Sequence, residues 1–187
     1  MRMIEEKNLA HNAAVIAFIL VFGFVLLAAR KAVPQTTTAA GSDHEFAMKA
    51  ASGGMSEVKL GQLASDKGTN SAVKEFGQRM VTDHSKANDE LKGIASKENI
   101  NLPSNPSKTD EAAYNRLSKL SGKQFDDAYA KMMVADHEHD IAEFRHESTN
   151  GTDESLKSFA TNTLPTLESH LEQAKQMLKS VQTAAAM

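Results

Sequence analysis

The chain has no cysteine and no tryptophan, and only four prolines in 187 residues. Without cysteine there can be no disulfide, no thiolate metal ligand, no cysteine nucleophile and no lipid-bearing cysteine after a lipoprotein leader. The same absence selects no redox compartment. A chain poor in proline and rich in Ala, Lys, Glu, Leu and Met leans towards helix. Other absences narrow function. No glycine-rich phosphate loop, dinucleotide fingerprint or Ser-His-Asp arrangement occurs. Basic residues are scattered and the net charge is −3, which argues against nucleic acid as a partner. Hydrophobic residues at 41% and charged residues at 24% belong to a globular chain rather than a disordered one.

One uncharged run is present, Ala13 to Ala29, AAVIAFILVFGFVLLAA. As a helix it would span roughly 25 Å, slightly less than a bilayer core of about 30 Å. It is long for a signal-peptide core, and no clear Ala-x-Ala site follows it, so an uncleaved anchor is favoured over a cleaved signal. Arg2 and Lys7 precede the run and Arg30 and Lys31 follow it, which leaves the positive-inside rule near a tie. Residues 1–30 are therefore expected to form a transmembrane anchor or signal segment, and residues 31–42 a flexible polar tether.

From Ser42 onward apolar residues recur in steps of three and four, the helical period. Helix one carries Phe46, Ala50, Gly53, Glu57, Leu60 and Ala64. Helix two carries Val73, Phe76, Met80, His84, Ala87, Leu91 and Ile94. A short amphipathic helix is expected over Thr109 to Leu120. Helix three carries Phe125, Tyr129, Met133, His137, Ile141 and Phe144. Helix four carries Leu156, Ala160, Thr163, Leu167, His170, Ala174, Met177 and Val181, with Asp153 as its N-cap and a kink expected at Pro165. Tight turns join one to two and three to four. About twenty residues separate two from three, enough to run the length of a bundle. The expectation is an all-α fold: a ferritin-like four-helix bundle over 43–183, two antiparallel hairpins with a long crossover between helices two and three.

The chain also repeats itself. Arg79-Met80-Val81-Thr82-Asp83-His84 is echoed by Met133-Val134-Ala135-Asp136-His137, at a fixed offset of 53 from Met80 to Met133 and from His84 to His137. Each long helix sets one ligand-capable side chain on its apolar stripe near its midpoint: Glu57, His84, His137 and His170. Packed helices bring their midpoints to one height, so these four should share a layer. Unpartnered buried polar groups cost about 1–3 kcal/mol each, so the layer must satisfy itself, hold water or hold a metal. One carboxylate and three imidazoles could bind one divalent transition metal, with Asp83 and Asp136 orienting the rings. A metal-free hydrogen-bonded layer is the competing reading. The carboxylates at the seam are too few for a di-iron oxidase, and the Glu143-x-x-His146 and Asp136-x-x-His139 spacings fall on a solvated stripe. The methionines read as core fillers. Gly53, Gly54 and Gly61 suggest the close approach of a neighbouring helix.

Several segments carry a resemblance: AMKAASGGMSEVKLGQLASDKG, VKEFGQRMVTDHSKANDELKGIA, LSGKQFDDAYAKMMVADHEHDIAEF and LPTLESHLEQAKQM. Together they resemble a bacterial domain-of-unknown-function family with a ferritin-like fold, whose members are often labelled putative outer membrane or periplasmic proteins. The resemblance covers about Asp43 to Leu178. It maps the family's motif residues onto Glu57, Asp83, His84, Phe125, Asp126, Tyr129, His137, Pro165 and His170. It implies an exported bundle facing the periplasm, either inner-membrane-anchored or released, and it supplies no activity. Family members commonly begin with a cleavable signal, from which this anchor-like leader departs. The expected role is a non-enzymatic structural, stress-related or interaction role in the cell envelope. The alternative is a metal-binding or metal-dependent redox bundle. The membrane is the expected partner of the N-terminal run, with another copy of the chain or an envelope protein as further candidates.

Overall fold

The computed structural model describes residues 39–184. The run Ala13 to Ala29 and most of the expected tether lie outside the described residues. Five helices and no strands occur among the described residues: α1 (Ala39–Lys67), α2 (Ser71–Lys97), α3 (Lys108–Leu117), α4 (Gly122–Asn150) and α5 (Glu154–Thr183). None of them is long and apolar enough to cross a membrane. The first helix begins at Ala39, inside the stretch expected to be tether. The short crossover helix ends at Leu117 instead of Leu120.

Local chemistry sets the boundaries. Asn70 caps α2 by accepting from the Ala72 amide, and Asp153 caps α5 by accepting from Leu156 N–H. Ser107 and Asp110 form a reciprocal capping box on α3. At the end of α2, Asn99 takes a positive φ of 56° and the Ile100 amide returns to the Ala95 carbonyl, closing the last turn. The last helix runs unbroken through Pro165, which lies on its exposed face. There, a carbonyl that loses its donor can turn to water.

Hydrogen bonds at the two ends fix how the long helices run. At one end the buried Asp126 carboxylate, at the start of α4, accepts from the amides of Thr69 and Asn70 and from the Thr69 hydroxyl. At the other end buried Asp43, near the start of α1, accepts from the amides of Thr152 and Asp153 and from the Thr152 hydroxyl. Each aspartate thus clamps the turn of the opposite hairpin. It follows that α1 and α4 run antiparallel, α2 and α4 run parallel, and the crossover carrying α3 returns the chain from one end to the other.

These clamps show a repeat that differs from the one most visible in the sequence. Asp43 with Gly68-Thr69-Asn70 recurs as Asp126 with Gly151-Thr152-Asp153, an offset of 83 from Asp43 to Asp126 and from Thr69 to Thr152. It relates whole hairpins, α1–α2 to α4–α5. The offset of 53 pairs the second helix of one hairpin with the first helix of the other.

Two apolar clusters fill the bundle. One gathers Leu60, Val73, Phe76, Met80, Phe125, Tyr129, Met133 and Met177. The other gathers Phe46, Leu91, Ile141, Phe144, Leu156, Phe159 and Leu167. Along every long helix the polar residues Glu57, His84, His137 and His170 fall between the two. Gly61 and Gly77 explain why α1 and α2 pack so closely: a Cβ on Gly61 would lie 2.6 Å from the Gly77 carbonyl oxygen, and the converse distance is also 2.6 Å. The close approach inferred from glycine is therefore internal at Gly61, whereas a Cβ on Gly53 would meet nothing.

Candidate functional site

His84 on α2, His137 on α4 and His170 on α5 meet in the centre of the bundle. Their ring centroids are 5.4 to 5.8 Å apart. The Phe76 ring closes the group on one side, edge-on to His137 at 6.0 Å and to His170 at 6.3 Å. All three imidazoles are buried, at 7%, 0% and 1% exposure respectively. One ring nitrogen from each lies within 4.8 Å of the others.

Neighbouring groups fix two of the tautomers. The His137 Nδ1 lies 2.8 Å from the Met133 carbonyl oxygen, which can only accept, so Nδ1 carries the proton and Nε2 keeps its lone pair. His170 Nε2 lies 2.8 Å from Asp83 Oδ2. Burial pushes the Asp83 carboxyl up, but the His170 hydrogen bond and the Arg79 charge hold it below its ordinary value. The carboxylate therefore accepts, and His170 Nδ1 keeps its lone pair. The fully buried ring nitrogens without a hydrogen-bond partner are His84 Nε2, His137 Nε2 and His170 Nδ1.

Positive charge on the three rings is disfavoured. Burial, then the nearby imidazoles, bring His84 down to about 3. Burial takes His137 down to about 4, against the opposing pull of its Met133 bond. Burial also lowers His170, opposed by Asp83. All three rings are neutral at neutral pH, so protons do not compete for their lone pairs. Three neutral nitrogen donors with no carboxylate in the set suit zinc or copper better than the harder manganese or magnesium. A tetrahedral ion with bonds near 2.0–2.1 Å would need its nitrogens about 3.3 Å apart, which lies inside the 4.8 Å limit. At a spacing near that limit a single water about 2.8 Å from each nitrogen also fits. Of the three rings, His84 alone lines an adjoining cavity of about 30 Å³, bounded also by Leu91, Phe144, Phe159 and Leu167, which has room for water only.

Glu57 and Asp136 belong elsewhere. Glu57 is buried at the height of the histidines, but among the described residues the only group close enough to hold a metal ion is the three imidazoles. Its carboxyl is raised well above the ordinary value by burial and then by Asp140, Asp136 and Asp110. Asp136 makes no bond to an imidazole; burial and Asp110 raise it to about 6. It lines a second cavity with Glu57 and Asp140. Asp83, by contrast, does orient an imidazole, though that of His170 on another helix and not its neighbour His84.

Sequence reasoning read Asp126 only as a family motif residue and missed Asp43. The available signal was an aspartate placed the same distance before Gly-Thr-Asx in each hairpin. The exposed His44, His139 and His146 lie outside the site.

A profile of the family described as "Domain of unknown function (DUF4142)" matches residues 28–177. No curated protein matches the chain. In fold it is similar to a crystallised DUF305 fragment from Deinococcus radiodurans, with a TM-score of 0.65 at 11% identity, over 74% of this chain and 95% of that one. At that identity the likeness concerns the fold alone.

Proposed function

For a chain that belongs to the DUF4142 family, whose function is unknown, we propose a non-enzymatic bundle, tethered in the cell envelope, that binds one zinc or copper ion at His84, His137 and His170. The observation that carries this reading is the convergence of three buried, neutral, unpartnered ring nitrogens. Leaving each of them bare costs about 1–3 kcal/mol, and a single ion would satisfy all three. The adjoining cavity of about 30 Å³ leaves no room for a substrate, which favours holding over turnover. Tethering and export rest on the uncharged run from Ala13 to Ala29 and on the family resemblance of the soluble part.

A second reading has its own support. Nitrogens up to 4.8 Å apart can share one bridging water as well as one ion. In that case the trio is a metal-free polar layer that fixes the register of the helices.

Elemental mass spectrometry separates the two. The full chain is purified in neutral detergent without an affinity metal. About one zinc or copper per chain, lost in His137→Ala, is the expected result. It should come with a fall in melting temperature on chelation, since ligand at about 100 times its dissociation constant adds about 2.7 kcal/mol. A folded, metal-free protein whose melting temperature ignores both chelator and added zinc or copper would establish the water-filled layer instead.

A further inference from the structure

A cleft of about 750 Å³, open to solvent on one side, lies between α1 and α4 under the crossover. These two helices meet along far less of their length than α1 and α2 do. The space left is lined by the carboxyls of Glu57, Asp136 and Asp140, with Asp110 on the crossover side. Met48, Leu60, Met132 and Pro103 supply apolar wall between them.

The carboxyls are not matched by cations. Glu57 is 3% exposed and its Oε2 has no hydrogen-bond partner. The Tyr129 hydroxyl, buried nearby and close enough to feel the Glu57 charge, also lacks a partner. Among the cavity's bases, Lys49 and His139 are engaged by Glu143. Arg116 lies on the exposed rim. An unpartnered, fully buried carboxyl on the wall of an acidic cavity marks a place where a donor is missing.

The missing donor is larger than an ion. A bound water occupies about 30 Å³, far less than this cavity, and the acidic side chains here are not gathered tightly enough to chelate. Ammonium groups separated by methylenes match carboxyls separated by apolar wall. We propose that this cleft binds an aliphatic di- or polyamine, with Glu57, Asp136 and Asp140 receiving its ammonium groups. The cleft does not include the three histidines, although Asp140 also lines the small cavity beside His84.

Calorimetric titration of the full chain with spermidine, in neutral detergent at physiological ionic strength, tests this. The expected result is saturable one-to-one binding that weakens at least about tenfold in Asp140→Asn and in Glu57→Gln, as for loss of one charge-assisted hydrogen bond. His84→Ala should bind spermidine as the natural chain does, even where it loses metal. Circular dichroism checks each variant, and Asp136→Asn replaces any that fails to fold. No saturable binding would overturn the proposal. So would affinity unchanged in the folded carboxyl variants, or displacement of spermidine by an equal concentration of magnesium.

Discussion

In the first hairpin Gly61 and Gly77 let α1 and α2 touch backbone to backbone, whereas the matching positions of the second hairpin hold Phe144 and Ala160. Phe144 fills space that the first hairpin closes, packing on Phe46 at 4.9 Å and on Phe159 at 5.8 Å. The ends of the hairpins, by contrast, are built alike, each with an aspartate clamping the other's Gly-Thr-Asx turn. The contrast extends to the site. Under the offset of 83, His84 corresponds to Leu167, His137 to Gly54 and His170 to Ala87. The frame is doubled, but the imidazole trio is not, so the site departs from the repeat instead of being produced by it.

If the clamps are equivalent, breaking either should cost about the same. Asp126→Ala and Asp43→Ala each strand two backbone amides and a hydroxyl, and each should destabilise by about 3 kcal/mol in urea unfolding. A cost confined to one of them would break the comparison. The middles should respond for different reasons. In Gly77→Ala the new methyl meets the Gly61 carbonyl, and the Ala64 Cβ at 2.9 Å, so about 2 kcal/mol should be lost. The mirror change, Ala160→Gly in the second hairpin, makes no clash: it loses about 1 kcal/mol of helix propensity and up to about 0.8 kcal/mol for the buried methyl.

The smallest effect concerns Glu147, whose counterpart in the first hairpin is Ala64. Burial, then the charges of Asp43 and Asp153, raise Glu147 to about 7 from an ordinary 4.5. A folded-state pKa raised in this way favours the fold fully below about pH 4.5, and the benefit is lost as pH rises through 7. Glu147→Gln escapes that loss. Its stability relative to the natural chain should improve by about 1 kcal/mol between pH 5 and pH 8, the roughly 2.5 kcal/mol that the full shift allows being reduced by solvent screening and relaxation around the carboxyl. Denaturation midpoints measured at the two pH values check this, and parallel curves would show that the carboxyl is not held neutral.

The helices, their caps at Asp153 and their polar midpoints were legible in the sequence, because each follows from residues a few positions apart on one helix. Apolar steps of three and four define a buried stripe, and a polar residue at its centre lands between two apolar clusters wherever the helices pack. Membership of a bacterial family of unknown function was legible in the same segments. What periodicity cannot give is the rotation of one helix against its neighbours. Adjacent residues on a helix point about 100° apart, so each Asp-His pair must send its two side chains to different places. Whether the aspartate meets an imidazole, as Asp83 does, or a cleft of carboxyls, as Asp136 does, depends on which helix stands at that angle.

The sequence by itself thus determined the helical class, the turns that separate the long helices and the height of the polar layer, since local periodicity and capping act within one segment. Only the tertiary structure decided that three imidazoles converge without Glu57, that the true repeat is the hairpin and that the clamps cross between hairpins. These depend on contacts between residues far apart in the chain, and their energies are set by which buried donors and acceptors meet once the helices have packed.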